Sequence, residues 1–271
     1  MADRKRRAAV AGYFYPRDPA ALKRRMIQLL SPDQPRKKAL AVVSPHAGYD
    51  YSGPVAGAVF SSVEMPETFI ILAPSHRSIG SIFAIMKDGV WETPLGDVSI
   101  QTELAESLAR RSARISVDPE AHEAEHALEV QLPFIQSLTT APSIVPVAVS
   151  VLARAEDLLE LGHAVAASVR DFGRDVLLVA STDMSHYISA AEARIKDFLA
   201  IRKILDLDPG GLIEIVRDED ISMCGFQPTA AVLIAALDLG ATKADLIMYA
   251  TSGDRTGNQS EVVGYAGIRI A

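Results

Sequence analysis

Short, continuous apolar runs alternate along the chain with stretches whose apolar positions recur every three or four residues. Residues 39–43 (Ala-Leu-Ala-Val-Val), 69–73 (Phe-Ile-Ile-Leu-Ala) and 176–180 (Val-Leu-Leu-Val-Ala) carry no polar position. That is the pattern of strands buried on both faces. Residues 143–149, 246–251 and 262–270 read as further strands, and 82–86 as a short one. Residues 91–100 read as two strands around a Pro94-Leu95-Gly96 turn. A helix begins after Asp18, a plausible N-cap with Pro19 at the first helical position. Further helices are expected from Gly53, over 102–111 with Thr102 as cap, and over 125–138, where Pro133 marks a kink or a second start. Others follow over 153–169, 190–205, 209–216 and 225–239. Residues 31–35, Pro32 among them, read as a loop.

Alternating strands and helices predict an α/β protein, a three-layer α/β/α sandwich around a central sheet. The short strands of residues 82–100 make that sheet mixed rather than purely parallel. No linker or repeat divides the chain, so residues 1–271 are expected to form one domain.

The strand ends carry the candidate chemistry. One apolar run leads into Ser44-Pro45-His46 and another into Pro74-Ser75-His76. The carboxyl ends of strands in α/β sheets are where ligands bind, and imidazole is the commonest metal-binding side chain. The run at 176–180 leads into Ser181-Thr182-Asp183-Met184-Ser185-His186. Cys224 stands at the start of a predicted helix, where the helix dipole favours thiolate. Two His and one Cys suit a borderline or soft transition metal. Each residue also has a plain structural reading, as a hydrogen-bonded histidine or a small buried thiol. His126 and Glu129 share a helix face at i,i+3, the reverse order of the Glu-x-x-His pairs of di-metal bundles. The acidic residues around His126 are read as solvated or capping. His126 itself is either structural or a base or substrate contact beside the crevice.

Composition narrows the choices. The 271 residues are 49% hydrophobic and 23% charged, with a net charge of −7. A general nucleic-acid-binding role is not expected, because it depends on basic surface. The basic cluster Asp3-Arg4-Lys5-Arg6-Arg7 reads as a solvated N-terminus. No secretory apolar core and no membrane-length apolar run occurs. One cysteine excludes an intrachain disulfide and fits a cytoplasmic protein. A Walker A loop, a G-x-G-x-x-G after the first strand, a G-x-S-x-G elbow and an H-E-x-x-H motif are all missing.

Several ordered motifs together resemble a known family. They are residues 44–53 (SPHAGYDYSG), 73–76 (APSH), 125–134 (EHALEVQLPF), 181–187 (STDMSHY) and 251–254 (TSGD). They look like the Memo family, whose prokaryotic members are called AmmeMemoRadiSam system protein B. The resemblance covers residues 12–270. The family is similar in fold to the class III extradiol, LigB-like dioxygenases, which hold non-haem Fe(II) with two His and a carboxylate. Matched motif by motif, the resemblance implies a metal at His46, His76 and Cys224. It gives His186 the acid/base position with Asp183 beside it, and puts His126 near the pocket.

A thiolate in place of a carboxylate makes Cu(I) or Zn alternatives to Fe(II) as the cofactor, and leaves ring cleavage outside what the resemblance carries. Two functions stand as expectations. One is a metal-dependent redox protein or dioxygenase-like oxidoreductase. The other is a non-catalytic metal- or peptide-binding adaptor. Its crevice would take a small molecule or peptide, and its partners would be AMMECR-type and radical SAM proteins. A metal-free acid/base enzyme built on His46, His76 and His186 is a third.

Overall fold

The computed structural model describes residues 4–31, 33–76 and 81–271. Asp3 of the basic cluster and Pro32 of the expected loop lie outside them. In chain order the elements are β1 (Lys5–Arg6), α1 (Pro19–Leu29), β2 (Ala41–Ser44), α2 (Gly53–Ser61), β3 (Thr68–Pro74), β4 (Phe83–Ile85), β5 (Val90–Thr93) and β6 (Gly96–Ile100). Next come α3 (Thr102–Ala109), β7 (Ile115–Val117), α4 (His126–Glu129), α5 (Leu132–Leu138), β8 (Ser143–Val149), α6 (Ala155–Phe172), β9 (Val176–Ser181) and β10 (His186–Ile188). The chain closes with α7 (Ala190–Leu205), α8 (Pro209–Asp218), α9 (Phe226–Asp238), β11 (Ala244–Thr251), α10 (Gly253–Thr256) and β12 (Val262–Ile270).

The all-apolar runs form the centre of the sheet. Strands β8, β3, β9 and β2 lie side by side and parallel. Ile70, Ile71, Leu72, Leu177, Leu178 and Val179 have no exposed surface. The sheet is mixed, as the short strands suggested: β12 runs antiparallel to β2, and β4 antiparallel to β8. Helices cover both faces. Successive side chains of a strand point to opposite faces. In β12, a Cβ on Gly267 would meet Val55 and Val59 of α2, whereas one on Gly264 would run into Asp197 of α7. So α2 and α7 lie on opposite sides. Helices α1, α2 and α5 pack together on one side, and α7, α8, α9 and α6 form a continuous layer on the other. This is the expected three-layer α/β/α sandwich around a central mixed sheet.

The 125–138 stretch is two helices, with Pro133 in the first turn of α5, the second start rather than the kink. Some local expectations change. Gln101, not Thr102, precedes α3 as its cap. Strands β1, β7 and β10 carry too few residues to show a periodicity. The basic N-terminus is not simply solvated: Arg6 is 4% exposed and pairs with the fully buried Glu129. Among the described residues no helix is long and apolar enough to cross a membrane.

Candidate metal centre

Strand β9 lies between β2 and β3, so three adjacent parallel strands deliver His46, Asp183 and His76 to one end of the sheet. The one-turn helix α4 lies against β3 and begins at His126. The loop before α9 brings in Cys224. His46, His76 and His126 each offer a ligand atom, and these atoms all lie within 4.8 Å of one another. The His46 ring stands edge-on to the other two, with centroids 5.3 Å from His76 and 5.5 Å from His126. His46 is 2% exposed, while the His76 and His126 side chains keep 34% and 22% of their surface, so the cluster opens on their side.

Hydrogen bonds fix which nitrogen of His46 is free. The Ser181 hydroxyl donates to the Ala127 carbonyl at 2.6 Å and accepts from Gln131 Nε2 at 2.8 Å. Its one hydrogen is used, so it can only accept from His46 Nδ1, 3.0 Å away. Nδ1 carries the proton and Nε2 keeps its lone pair for the cluster. Burial lowers the His46 pKa to about 3, with the His76 charge adding to the effect, so the ring is neutral.

His76 is held in the same sense by Glu125. The Glu125 carboxylate accepts from the His76 backbone N–H at 2.8 Å and from Nδ1 at 2.9 Å. It also caps α4 by accepting from Ala127 N at 2.8 Å. Burial would raise its pKa, but the His76 hydrogen bond and charge and these N–H donors outweigh burial and hold it at about 2. An ionised carboxylate on Nδ1–H leaves His76 Nε2 free, the usual arrangement behind a metal-binding imidazole. His126 Nδ1 stands 3.4 Å from the same carboxylate, and Phe14 packs on its ring at 4.8 Å. Burial, then the His46 charge, lowers the His126 pKa to about 4.

Cys224 Sγ lies 3.3 Å from His46 Nε2 and accepts from the Asp183 N–H at 3.3 Å. It sits two residues ahead of α9, and burial together with the Asp183 charge pushes its thiol up rather than down. Gly225 makes the approach feasible. A Cβ there would come within 2.6 Å of Ser181 O and of Thr182 Cβ, and its N–H instead donates to Thr182 Oγ1 at 2.9 Å.

Asp183 is buried below His46. Its Oδ1 accepts the His46 N–H at 2.8 Å, and Oδ2 is 4.0 Å from His46 Nε2. Burial raises its pKa against that hydrogen bond. His186 opens β10. Its Nδ1 donates to the Ser222 carbonyl at 2.9 Å, which leaves Nε2 as an acceptor. Its neighbour Tyr187 sits at a register shift between β10 and β12 with φ 58° and 74% exposure, a conformation aromatic residues rarely adopt.

Thus the group at mutual ligand distance is His46, His76 and His126, while Cys224 lies against His46, its Sγ 3.3 Å from Nε2. The donor set fits a borderline transition metal: three imidazoles, two with Nδ1 committed outward, and a thiol at the edge. Glu125, Ser181 and Gln131 are the supporting residues that sequence reasoning did not assign. The one available signal was a carboxylate immediately before a helix-initiating histidine.

The profile of a family described as Memo-like protein matches residues 6–269. A MEMO1 family protein of Methanothermobacter thermautotrophicus is 44% identical, over 96% of this chain and 98% of that one. Another, from Methanopyrus kandleri, is 42% identical over 97% and 98%. A crystal structure of an uncharacterized protein from Escherichia coli K12 matches with a TM-score of 0.55 and 16% identity, covering 84% of this chain and 99% of that one. At that identity the likeness speaks for the fold alone. On the near full-length match of profile and relatives, the chain belongs to the Memo family.

Proposed function

We propose that this protein is a metal-dependent redox protein whose centre is one transition-metal ion held by His46, His76 and His126, with Cys224 as the adjacent softer donor. The convergence of three imidazole donor atoms within 4.8 Å carries the reading. Fe(II) is the first candidate, and Cu(I) and Zn are the alternatives that the thiol favours. When bound, the ion supplies a Lewis acid and, for iron or copper, a redox-active centre. The chain's own residues do the rest. Ser181 and Glu125 orient two of the imidazoles through Nδ1. Asp183 holds the backbone of His46. His186, with Nδ1 tied to Ser222, accepts or returns a proton at Nε2 on the rim. The half-open side at His76 and His126 admits a small molecule.

Purification without oxygen, followed by elemental analysis, tests the reading. About one equivalent of a transition metal is expected for the native chain, and a clear loss for His46→Ala. Equal metal content in the two proteins would remove the assignment. A redox-inactive ion in protein isolated from its native source would turn the reading toward a binding role.

A further inference from the structure

Helix α4 is a single turn of four residues, too short to hold its own conformation, yet it presents His126 and is capped by Glu125. Ser181 holds it on the sheet side through the Ala127 carbonyl, and the N-terminal arm holds it at both ends. The Arg6 guanidinium grips three points around it: Nε donates to His122 O at 3.0 Å, one terminal nitrogen donates to Glu125 O at 2.7 Å, and the other pairs with the Glu129 carboxylate. Glu129, the last residue of α4, has no exposed surface. Besides Arg6 it accepts from Ala9 N at 2.8 Å, Val10 N at 3.1 Å and Tyr15 Oη at 2.5 Å. Phe14, between those contacts, packs on the His126 ring at 4.8 Å, and its carbonyl accepts from Tyr49 N at 2.8 Å. The arm therefore touches the turn before His126, the end of its helix and the imidazole itself.

We infer that Arg6 and Glu129 are positioning residues of the centre: the arm from Arg6 to Tyr15 is a strap that sets His126 and Glu125, and with Glu125 the orientation of His76. The inference rests on the metal reading above. It separates from a purely stabilising role of the ion pair, because a planar fork gripping three acceptors cannot be replaced by a point charge.

Co(II) titration of the full-length protein, read by visible absorption, tests it. The proteins are the native chain, Arg6→Lys, Tyr15→Phe, and Leu104→Ala as a destabilised control in α3, where Leu104 is fully buried. The native chain is expected to bind one Co(II). Arg6→Lys is expected to bind about tenfold more weakly or worse, the usual scale for losing support behind a ligand, with a shifted band as His126 leaves its place. Tyr15→Phe moves the same way by a smaller factor, and Leu104→Ala binds as the native chain does. Folded Arg6→Lys with native affinity and band overturns the inference; if that variant does not fold, a native affinity and band in Tyr15→Phe overturns it. A loss in Leu104→Ala equal to that in the strap variants overturns it too. No Co(II) uptake by the native chain overturns the metal reading itself, and the strap's role with it.

Discussion

Glu125 holds His76 at two points, taking its backbone N–H on Oε2 at 2.8 Å and its Nδ1 on Oε1 at 2.9 Å. The same carboxylate caps the helix that starts at His126. One buried acid thus fixes two of the three imidazoles, one by hydrogen bond and one by placing its helix.

Glu125→Gln keeps the shape and removes the charge. The amide can donate as well as accept, so the Nδ1 proton of His76 is no longer held. Metal affinity is expected to fall about 10–100-fold, as for other residues behind metal-bound imidazoles, with the far-UV circular dichroism unchanged. Competition titration with a chelator of known affinity measures it; native affinity would show that the carboxylate caps the helix and nothing more.

Gly225→Ala tests how Cys224 reaches the cluster. A Cβ 2.6 Å from Ser181 O and Thr182 Cβ must displace the loop. The expected cost is about 1–3 kcal/mol, as for overpacking elsewhere. In the Co(II)-loaded protein the near-ultraviolet thiolate-to-metal band should fade while the imidazole-dominated visible bands persist. An unchanged thiolate band would mean the loop carries Cys224 along as it shifts.

His122 gives a pH dependence. It has no exposed surface, packs edge-on against Trp91 at 5.7 Å, and neither ring nitrogen makes a hydrogen bond of good geometry among the described residues. Burial, with Arg6 nearby, lowers its pKa from 6.5 to about 4. Between those values the unfolded chain binds the proton and the folded one does not, so stability falls as pH drops from about 6.5 to 4. His122→Leu removes that part of the slope. The variant is expected within about 1 kcal/mol of the native chain at pH 7, since an unpaired polar group gives way to an apolar one. It should be the more stable protein at pH 4. Thermal unfolding of the metal-free proteins across pH 4–8 decides it, and parallel curves would count against a neutral buried His122.

Much of this was legible in the chain. Residues 176–180 have no polar position, so only a strand buried on both faces suits them, and β9 is the sheet's central neighbour of β2 and β3. Pro45 and Pro74 end two such runs, which put His46 and His76 at strand exits. His126 could not be placed, because its neighbours in space come from strands 50 to 80 residues earlier along the chain. A helical i,i+3 relation to Glu129 describes one turn and says nothing of what that turn faces. Arg6 was misread for a related reason. A run of basic residues looks solvated unless its partner is known, and Glu129 lies 123 residues further along the chain. The short strand β10 formed at His186 because β12 was there to pair with it.

The most direct measurement is the anomalous scattering of a crystal grown with the bound metal. One strong peak is predicted, bonded at about 2.0–2.2 Å to a nitrogen of each of His46, His76 and His126, with Cys224 Sγ at about 2.3 Å where the thiolate closes the site. A peak coordinated elsewhere, or one that excludes His46 and His76, would contradict the account.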